Sequence, residues 1–338
     1  MQAYTSVLLA ASISATAGLF GLTSQAFADT INSDTSVEER LVDTLTALAH
    51  GPYPGYRANH AKGIMATGTF KPDAGAADLS KAAHLHGGDS KVLVRFSDGS
   101  GVPTIPDAAP NNVHGMAIRF YLPDGSFTDI VALSVNAFPA STPEGFLAFL
   151  KAAGASGPDA PKPTPMDKLL KTHPAALKFV TTPMPAPVSF ATQAFYGLDA
   201  FRFTNAKGES RYGRYRIMPM AGEHTYPDAQ AAKLAPDYLM RDLPARLEKE
   251  PIRYRISVQL AEKGDDVNDI TAIWPDNRPQ VALGILTLKA ALPDSKEEEK
   301  TLMFSPMNVA DGIEGSDDPI LAARPIAYAI SFGRRNGQ

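Results

Sequence analysis

The sequence predicts an α+β fold, an antiparallel sheet or barrel with helices added, built as one domain. Three observations carry this. Runs such as Lys91–Ser97 and Gly115–Tyr121 alternate apolar and polar residues, the period of half-buried strands. Pro123-Asp124-Gly125 turns the second of these runs directly into Phe127–Leu133, which is a hairpin signal. Clear helical periodicity falls near the two ends of the chain, and neither an internal repeat nor a domain boundary interrupts it.

Residues 1–28 carry no charged side chain and end in Gln25-Ala26-Phe27-Ala28, a small-residue cleavage pattern before Asp29. They are expected to be a removable export signal, leaving residues 29–338 as a periplasmic or secreted protein. Ser, Thr and Gly break the apolar run, which makes it marginal for a bilayer span. A first helix is expected over Ser36–Ala49, because Val37, Leu41, Leu45 and Leu48 recur at spacings of three and four; Gly51 stops it. Turn-rich Gly51–Gly55 leads through Arg57–Gly63 into a strand start at Ile64–Phe70. Residues 155–187 hold eight prolines around a short helix expected over Met166–Val180, an excursion packed on the sheet. Strands resume at Tyr196–Phe203 and Arg211–Met218 across the turn Asn205–Gly208, then at Tyr254–Leu260 and Val281–Leu288. A last helix is expected from Asp317 to Phe332.

At 338 residues and 44% apolar content the chain can bury a large core. A net charge of −4, with lysine and arginine scattered, points away from nucleic acid and anionic membranes as partners. The dense run Lys296-Glu297-Glu298-Glu299-Lys300 reads as a solvated helix face. There is no cysteine, which excludes disulfides, thiolate metal sites and covalent attachment of haem through Cys-x-x-Cys-His.

Arg324 and Tyr328 stand four apart on the last helix, so they share a face. Such a pair can be a packed tyrosine beside a surface arginine. A guanidinium next to a phenol also favours the anionic oxygen, which can ligate ferric iron. Pro325 between them removes a helix hydrogen bond. His84-Leu85-His86 places two imidazoles close together without a second ligand pair, and His114 reads as a turn residue.

Five segments, in order over roughly residues 50–335, resemble the haem catalases. Arg57-Ala58-Asn59-His60-Ala61-Lys62-Gly63 is similar to the family's distal-histidine segment, and Val94-Arg95-Phe96-Ser97 to its Val-Arg-Phe-Ser. Asp269–Pro275 resembles Asp-Leu-Thr-x-Val-Trp-Pro. Phe304-Ser305-Pro306-Met307-Asn308, followed by Gly312-Ile313-Glu314, resembles the approach to the proximal helix. Arg324-x-x-x-Tyr328 resembles the proximal ligand motif. The resemblance implies a catalase-like antiparallel β-barrel core with added helices, lacking the C-terminal domain of full catalases, and haem b as cofactor. It implies His60 as the distal acid–base residue, Ser97 hydrogen-bonded to it, and Tyr328 as the axial iron ligand. Arg57 and Arg95 would lie toward haem propionates, Arg324 and Arg335 would be charged neighbours of Tyr328, and Phe146 would stack near the haem.

Three departures from the family pattern bear on function. Leu133-Ser134 stands where catalases carry Asn-Asn, and the next asparagine is Asn136. Gly99 replaces a valine that narrows the family's peroxide channel, so wider access is expected. The chain is expected to lack the long N-terminal arm and C-terminal domain, and its size resembles the shorter catalase-related peroxidases of bacteria. The expectation is therefore an exported haem b peroxidase acting on hydrogen peroxide or organic hydroperoxides with a small organic reductant, and only weak catalase activity. The alternatives are a true catalase, a hydroperoxide-rearranging enzyme and a non-enzymatic haem binder.

Overall fold

In the computed structural model, which describes residues 35–292 and 295–337, eight α-helices and ten strands follow one another. In chain order they are α1 (Val37–Leu48), β1 (Gly63–Pro72), β2 (Ser90–Asp98), β3 (His114–Tyr121) and β4 (Phe127–Leu133). Next come α2 (Pro143–Gly154), α3 (Pro165–Thr172), α4 (Pro174–Thr181), β5 (Phe195–Tyr196), β6 (Phe201–Thr204) and β7 (Ser210–Pro219). The chain continues through α5 (Asp228–Ala231), α6 (Tyr238–Leu247), β8 (Ile252–Leu260), β9 (Gln280–Ala291), α7 (Ser295–Thr301), β10 (Ile313–Gly315) and α8 (Pro319–Arg335). The expected export signal lies outside the described residues.

The strands pair antiparallel in the order β7-β5-β4-β3-β2-β1-β9-β8, and β8 pairs back with β7, closing an eight-stranded barrel; β6 and β10 extend from β7. Its interior is a packed core. Val94, Phe96, Met116, Ile118, Ile130 and Ala132 point inward, and Phe96 stacks on Phe190 at 4.7 Å between ring centroids.

The opposite face of β2, β3 and β4 holds the site, and register sets it out. Gly63, Ser97, Gly115, Leu133 and Tyr196 pair successively across β1, β2, β3, β4 and β5, so they form one row on one face. Two residues along, Met65, Arg95, Ala117 and Val131 form a second row. Helices cover this outer face, so β2 is buried on both sides from Val92 to Asp98 rather than half-buried as its alternation predicts.

Local chemistry starts and stops the covering helices. Ser36 caps α1 by accepting from Glu39 N at 3.2 Å, and Thr142 caps α2 by accepting from Gly145 N at 3.1 Å with Pro143 at the first helical position. Asp318 caps α8, its Oδ1 accepting from Ile320 N at 2.8 Å. Leu41 of α1 packs with Leu147, Phe149 and Leu150 of α2 and Ala176 of α4.

Several expectations need correction. The single helix over Met166–Val180 is two, α3 and α4, because His173 precedes Pro174 and takes a non-helical conformation (φ −124°, ψ 87°). The strand over Tyr196–Phe203 is broken between β5 and β6 by Gly197–Ala200. His114 is no turn residue; it opens β3, is buried, and its imidazole meets Asp98 at 3.3 Å and Gln193 at 3.0 Å. The charge run on α7 is not solvated throughout, since Glu299 turns inward. Helices α2 and α6 were not anticipated.

Candidate active site

A cavity lies between the outer face of β2–β4 and helices α1, α2 and α8, with about 1500 Å³ of empty space including its open mouth. Leu41 and Leu45 of α1, Phe146 of α2 and Ile320 of α8 make its helical side apolar. The polar groups that interrupt this lining are concentrated in three places.

On the barrel side stands His60. Its backbone is in the left-handed region (φ 55°), which histidine tolerates better than most residues but still at a cost, and which re-aims the chain just before β1. The loop is tied down on both flanks. Ala58 N donates to Ser331 Oγ of α8 at 3.1 Å, and Ala61 N donates to Ser100 O at 2.8 Å. Arg95 Nη2 donates to His60 O at 3.0 Å. His60 Nδ1 is hydrogen-bonded to Ser97 Oγ at 3.0 Å, leaving Nε2 as the free ring nitrogen. Burial, then the charge of Arg95, pushes the imidazole down to about 3, so it is neutral near pH 7. Gly115 lies under the ring: a Cβ there would stand 2.8 Å from Ser97 Oγ and 2.9 Å from His60 Nδ1. The imidazole occupies the space a side chain at 115 would need.

On the helix side stands Tyr328. Arg324, one turn earlier, donates to its phenol oxygen from Nε at 3.1 Å and from Nη2 at 2.9 Å, so that oxygen accepts two N–H groups. Arg324 in turn pairs with buried Asp199, from the segment between β5 and β6. Burial works against the Arg324 charge, but Asp199 and Tyr328 outweigh it and raise its pKa above the ordinary value. Asp318 is a second carboxylate behind this pair; burial and the charge of Asp199 push it up to about 6.

At one edge Arg57, Arg95 and Arg335 converge. Arg57 Nη1 and Arg95 Nη2 both reach Glu299 Oε2, at 2.6 and 2.8 Å, and Arg57 and Arg335 both donate to Leu302 O. Arg335 thus belongs to this edge cluster rather than standing beside Tyr328. The Nε atoms of Arg95 and Arg335 are buried without a partner, although both residues border the cavity. Unsatisfied guanidinium donors at a cavity edge fit carboxylates of a bound group.

These features together fit haem: a doubly hydrogen-bonded phenol oxygen on one side, a neutral imidazole on the other, and guanidinium groups for the propionates. Phe146 borders the cavity and packs on Phe138 at 5.0 Å. The Asp269–Pro275 segment contributes Ile270 and is otherwise a scaffold. Arg214 lies over the Trp274 ring at 4.3 Å and donates to Asp269 O, while Trp274 Nε1 donates to Asp266 O. The Phe304–Asn308 segment is pinned by Asp129, which accepts from Ser305 N and Asn308 Nδ2 and pairs with Arg119.

At the departures, Leu133 borders the cavity beside the His60 row, and Ser134 turns away, its Oγ accepting from His114 N at 2.9 Å. Asn136 borders a different cleft. Gly99 does not border the cavity; a Cβ there would meet Val113 O at 2.3 Å, so close backbone packing accounts for the glycine and wider access does not follow. His84 is packed against Phe70 and Phe120. Sequence reasoning missed Gly115, Asp199 and Glu299. Only Gly115 left a trace, as a glycine inside an otherwise regular strand.

A catalase family model matches residues 34–338. The chain is 40% identical over 292 residues to a catalase-related peroxidase of Mycolicibacterium paratuberculosis, covering 85% of this chain and 91% of the relative. It is 32% identical over 285 residues to a catalase-related peroxidase of Synechococcus elongatus, covering 83% and 84%. Against a catalase of Alkalihalophilus pseudofirmus the identity is 27% over 314 residues, 85% of this chain but 45% of that one. A crystal structure of a fungal catalase superposes with a TM-score of 0.75 at 24% identity, covering 88% of this chain and 63% of the other.

Proposed function

The chain belongs to the catalase family, and on that premise we propose that it is a haem b peroxidase that reduces hydrogen peroxide or organic hydroperoxides with a small organic electron donor and evolves little oxygen. The observation that carries this reading is the single cavity bordered by the His60–Ser97 pair on one side and the Arg324–Tyr328 pair on the other. Bound haem supplies the iron redox chemistry that splits the peroxide O–O bond. Tyr328 would hold the iron, with Arg324 donating two hydrogen bonds to its oxygen. Arg57, Arg95 and Arg335 would hold the propionates.

The chain's own residues supply proton movement and positioning. His60 is neutral at working pH, so Nε2 can take a proton from peroxide and return it to the departing oxygen. Ser97 fixes the ring through Nδ1, and the loop contacts fix the backbone that carries it. Leu133, where an amide would hold a second peroxide, offers no hydrogen bond, which supports peroxidase over catalase turnover. The test is a stopped-flow spectrum of haem-loaded protein mixed with peroxide, with and without an aromatic donor. Donor-dependent turnover with little oxygen is expected; oxygen release at full catalase rates would assign a catalase instead.

We propose further that residues 1–28 direct export and that the working protein starts at Asp29. Intact-mass analysis of periplasmic protein should show that start, and a full-length species in the membrane fraction would refute it.

A further inference from the structure

The carboxylate among the three cavity-edge arginines lies outside the five segments that resemble the family. Glu299 lies on α7, a charged stretch whose composition points to solvent, yet its side chain is only 12% exposed. Its Oε2 bridges Arg57 and Arg95, and Arg335 is joined to the same strap through Leu302 O. Glu299 does not itself border the cavity, whereas all three arginines do. It therefore stands behind them.

Three guanidinium groups this close repel one another. Burial and then Arg95 push Arg57 well below its ordinary value, and burial and then Arg95 push Arg335 down to about 10. Burial raises the Glu299 carboxyl, but Arg95 and Arg57 together hold it below its usual range, so it is ionised. The group of four then carries three positive charges and one negative charge. The net of two matches a ligand with two carboxylates, and the buried Nε atoms of Arg95 and Arg335 remain without partners while Glu299 is in place.

We infer that Glu299 is a positioning residue for the cofactor: it holds Arg57 and Arg95 in place from behind and trims the cluster to the charge that two haem carboxylates neutralise. This rests on the haem reading above. The ligand specificity it creates is for a porphyrin with two free carboxylates over one without. Without Glu299 the arginines splay apart, and the ligand must order them as it binds, which weakens retention.

The test is a cycle between protein and ligand. Wild type and Glu299→Gln are each loaded with iron protoporphyrin IX or with its dimethyl ester, and dissociation to excess apomyoglobin is followed at the Soret band. Glu299→Gln should release the free-acid haem roughly 10-fold faster while changing ester release less than about 2-fold, because the ester has no charge for the arginines to hold. Glu299→Asp, which keeps the charge, should fall between. Equal acceleration for both ligands would reduce Glu299 to a structural brace and overturn the inference. So would an unchanged rate, or tighter haem binding in the variant, which would make Glu299 a competitor. A wild-type protein that takes up neither porphyrin would instead refute the haem reading itself.

Discussion

Gly115→Ala tests how tightly the wall of the site dictates the position of His60, the proposed proton-carrying group. A methyl at 115 would lie 2.8 Å from Ser97 Oγ, 2.9 Å from His60 Nδ1 and 3.0 Å from Cε1, where ordinary contact begins at 3.4 Å. Something must yield by 0.4–0.6 Å, the difference between those values. The strand cannot retreat, because Gly115 is paired to Ser97 on one side and Leu133 on the other. The imidazole and the serine hydroxyl must therefore move, and their 3.0 Å hydrogen bond is disturbed with them. Misplacing a catalytic group by about 1 Å costs about 10²-fold, and losing an acid–base residue costs about 10²–10⁴-fold, so a shift near half an ångström should cost about 10- to 100-fold. Peroxide turnover with an aromatic donor measures the loss, and the Soret absorbance per protein and the thermal midpoint serve as controls. The variant should load haem normally. Wild-type turnover in a fully loaded Gly115→Ala protein would show that the imidazole does not work from the position described, and loss of haem with unimpaired specific turnover would move the role of this wall to cofactor retention.

Three further outcomes are expected. Tyr328→Phe should weaken haem retention by at least about 10-fold or change its axial-ligand spectrum, whereas His60→Ala should keep haem and lose peroxide activation; exchanged phenotypes would reverse the two faces of the site. Leu133→Asn should raise oxygen evolution from peroxide alone several-fold while leaving donor-dependent turnover within about 2-fold, and a flat oxygen-electrode trace would remove Leu133 as the determinant. His84, buried against Phe70 and Phe120, is pushed by burial and then by His86 from 6.5 to about 4. The unfolded chain therefore binds a proton that the folded chain refuses between those values, so stability falls as pH drops from 6.5 toward 4, by at most about 3 kcal/mol. His84→Leu should flatten that limb in urea titrations across the range, and an unchanged slope would count against the buried neutral imidazole.

The barrel strands were legible because period-two alternation and turn residues mark them locally; β4 falls on Phe127–Leu133 as its pattern places it. The helix α1 and the start of α8 were legible through apolar spacing and, at Ser36, a capping residue. What local pattern could not supply was burial from the second side. Strand β2 reads as half-exposed, and only the distant helices α1, α2 and α8 make its outer face a cavity wall. Motif resemblance supplied His60, Ser97, Arg95 and Tyr328 because their chemistry shows in short local strings. Asp199, by contrast, meets Arg324 across 125 positions of chain, and Glu299 meets Arg57 across 242. Their type is ordinary and their importance comes from tertiary proximity. The same holds for Gly115, whose lack of a side chain matters because an imidazole from another segment fills the space.

The barrel wall is uneven in thickness. Strands β3 and β4 are laced along their whole length, from Gly115↔Leu133 to Tyr121↔Phe127, whereas β4 meets β5 through the single pair Leu133↔Tyr196. Both members of that pair border the cavity, and Tyr196 also borders the neighbouring cleft that contains Asn136 and Gln193. One ladder rung is the smallest amount of backbone pairing that can join two neighbouring strands, so the wall is held by fewer backbone pairs at this seam than between β2, β3 and β4. The least tightly laced stretch of the barrel is thus a partition between two hollows, at the far end of the row that carries Ser97.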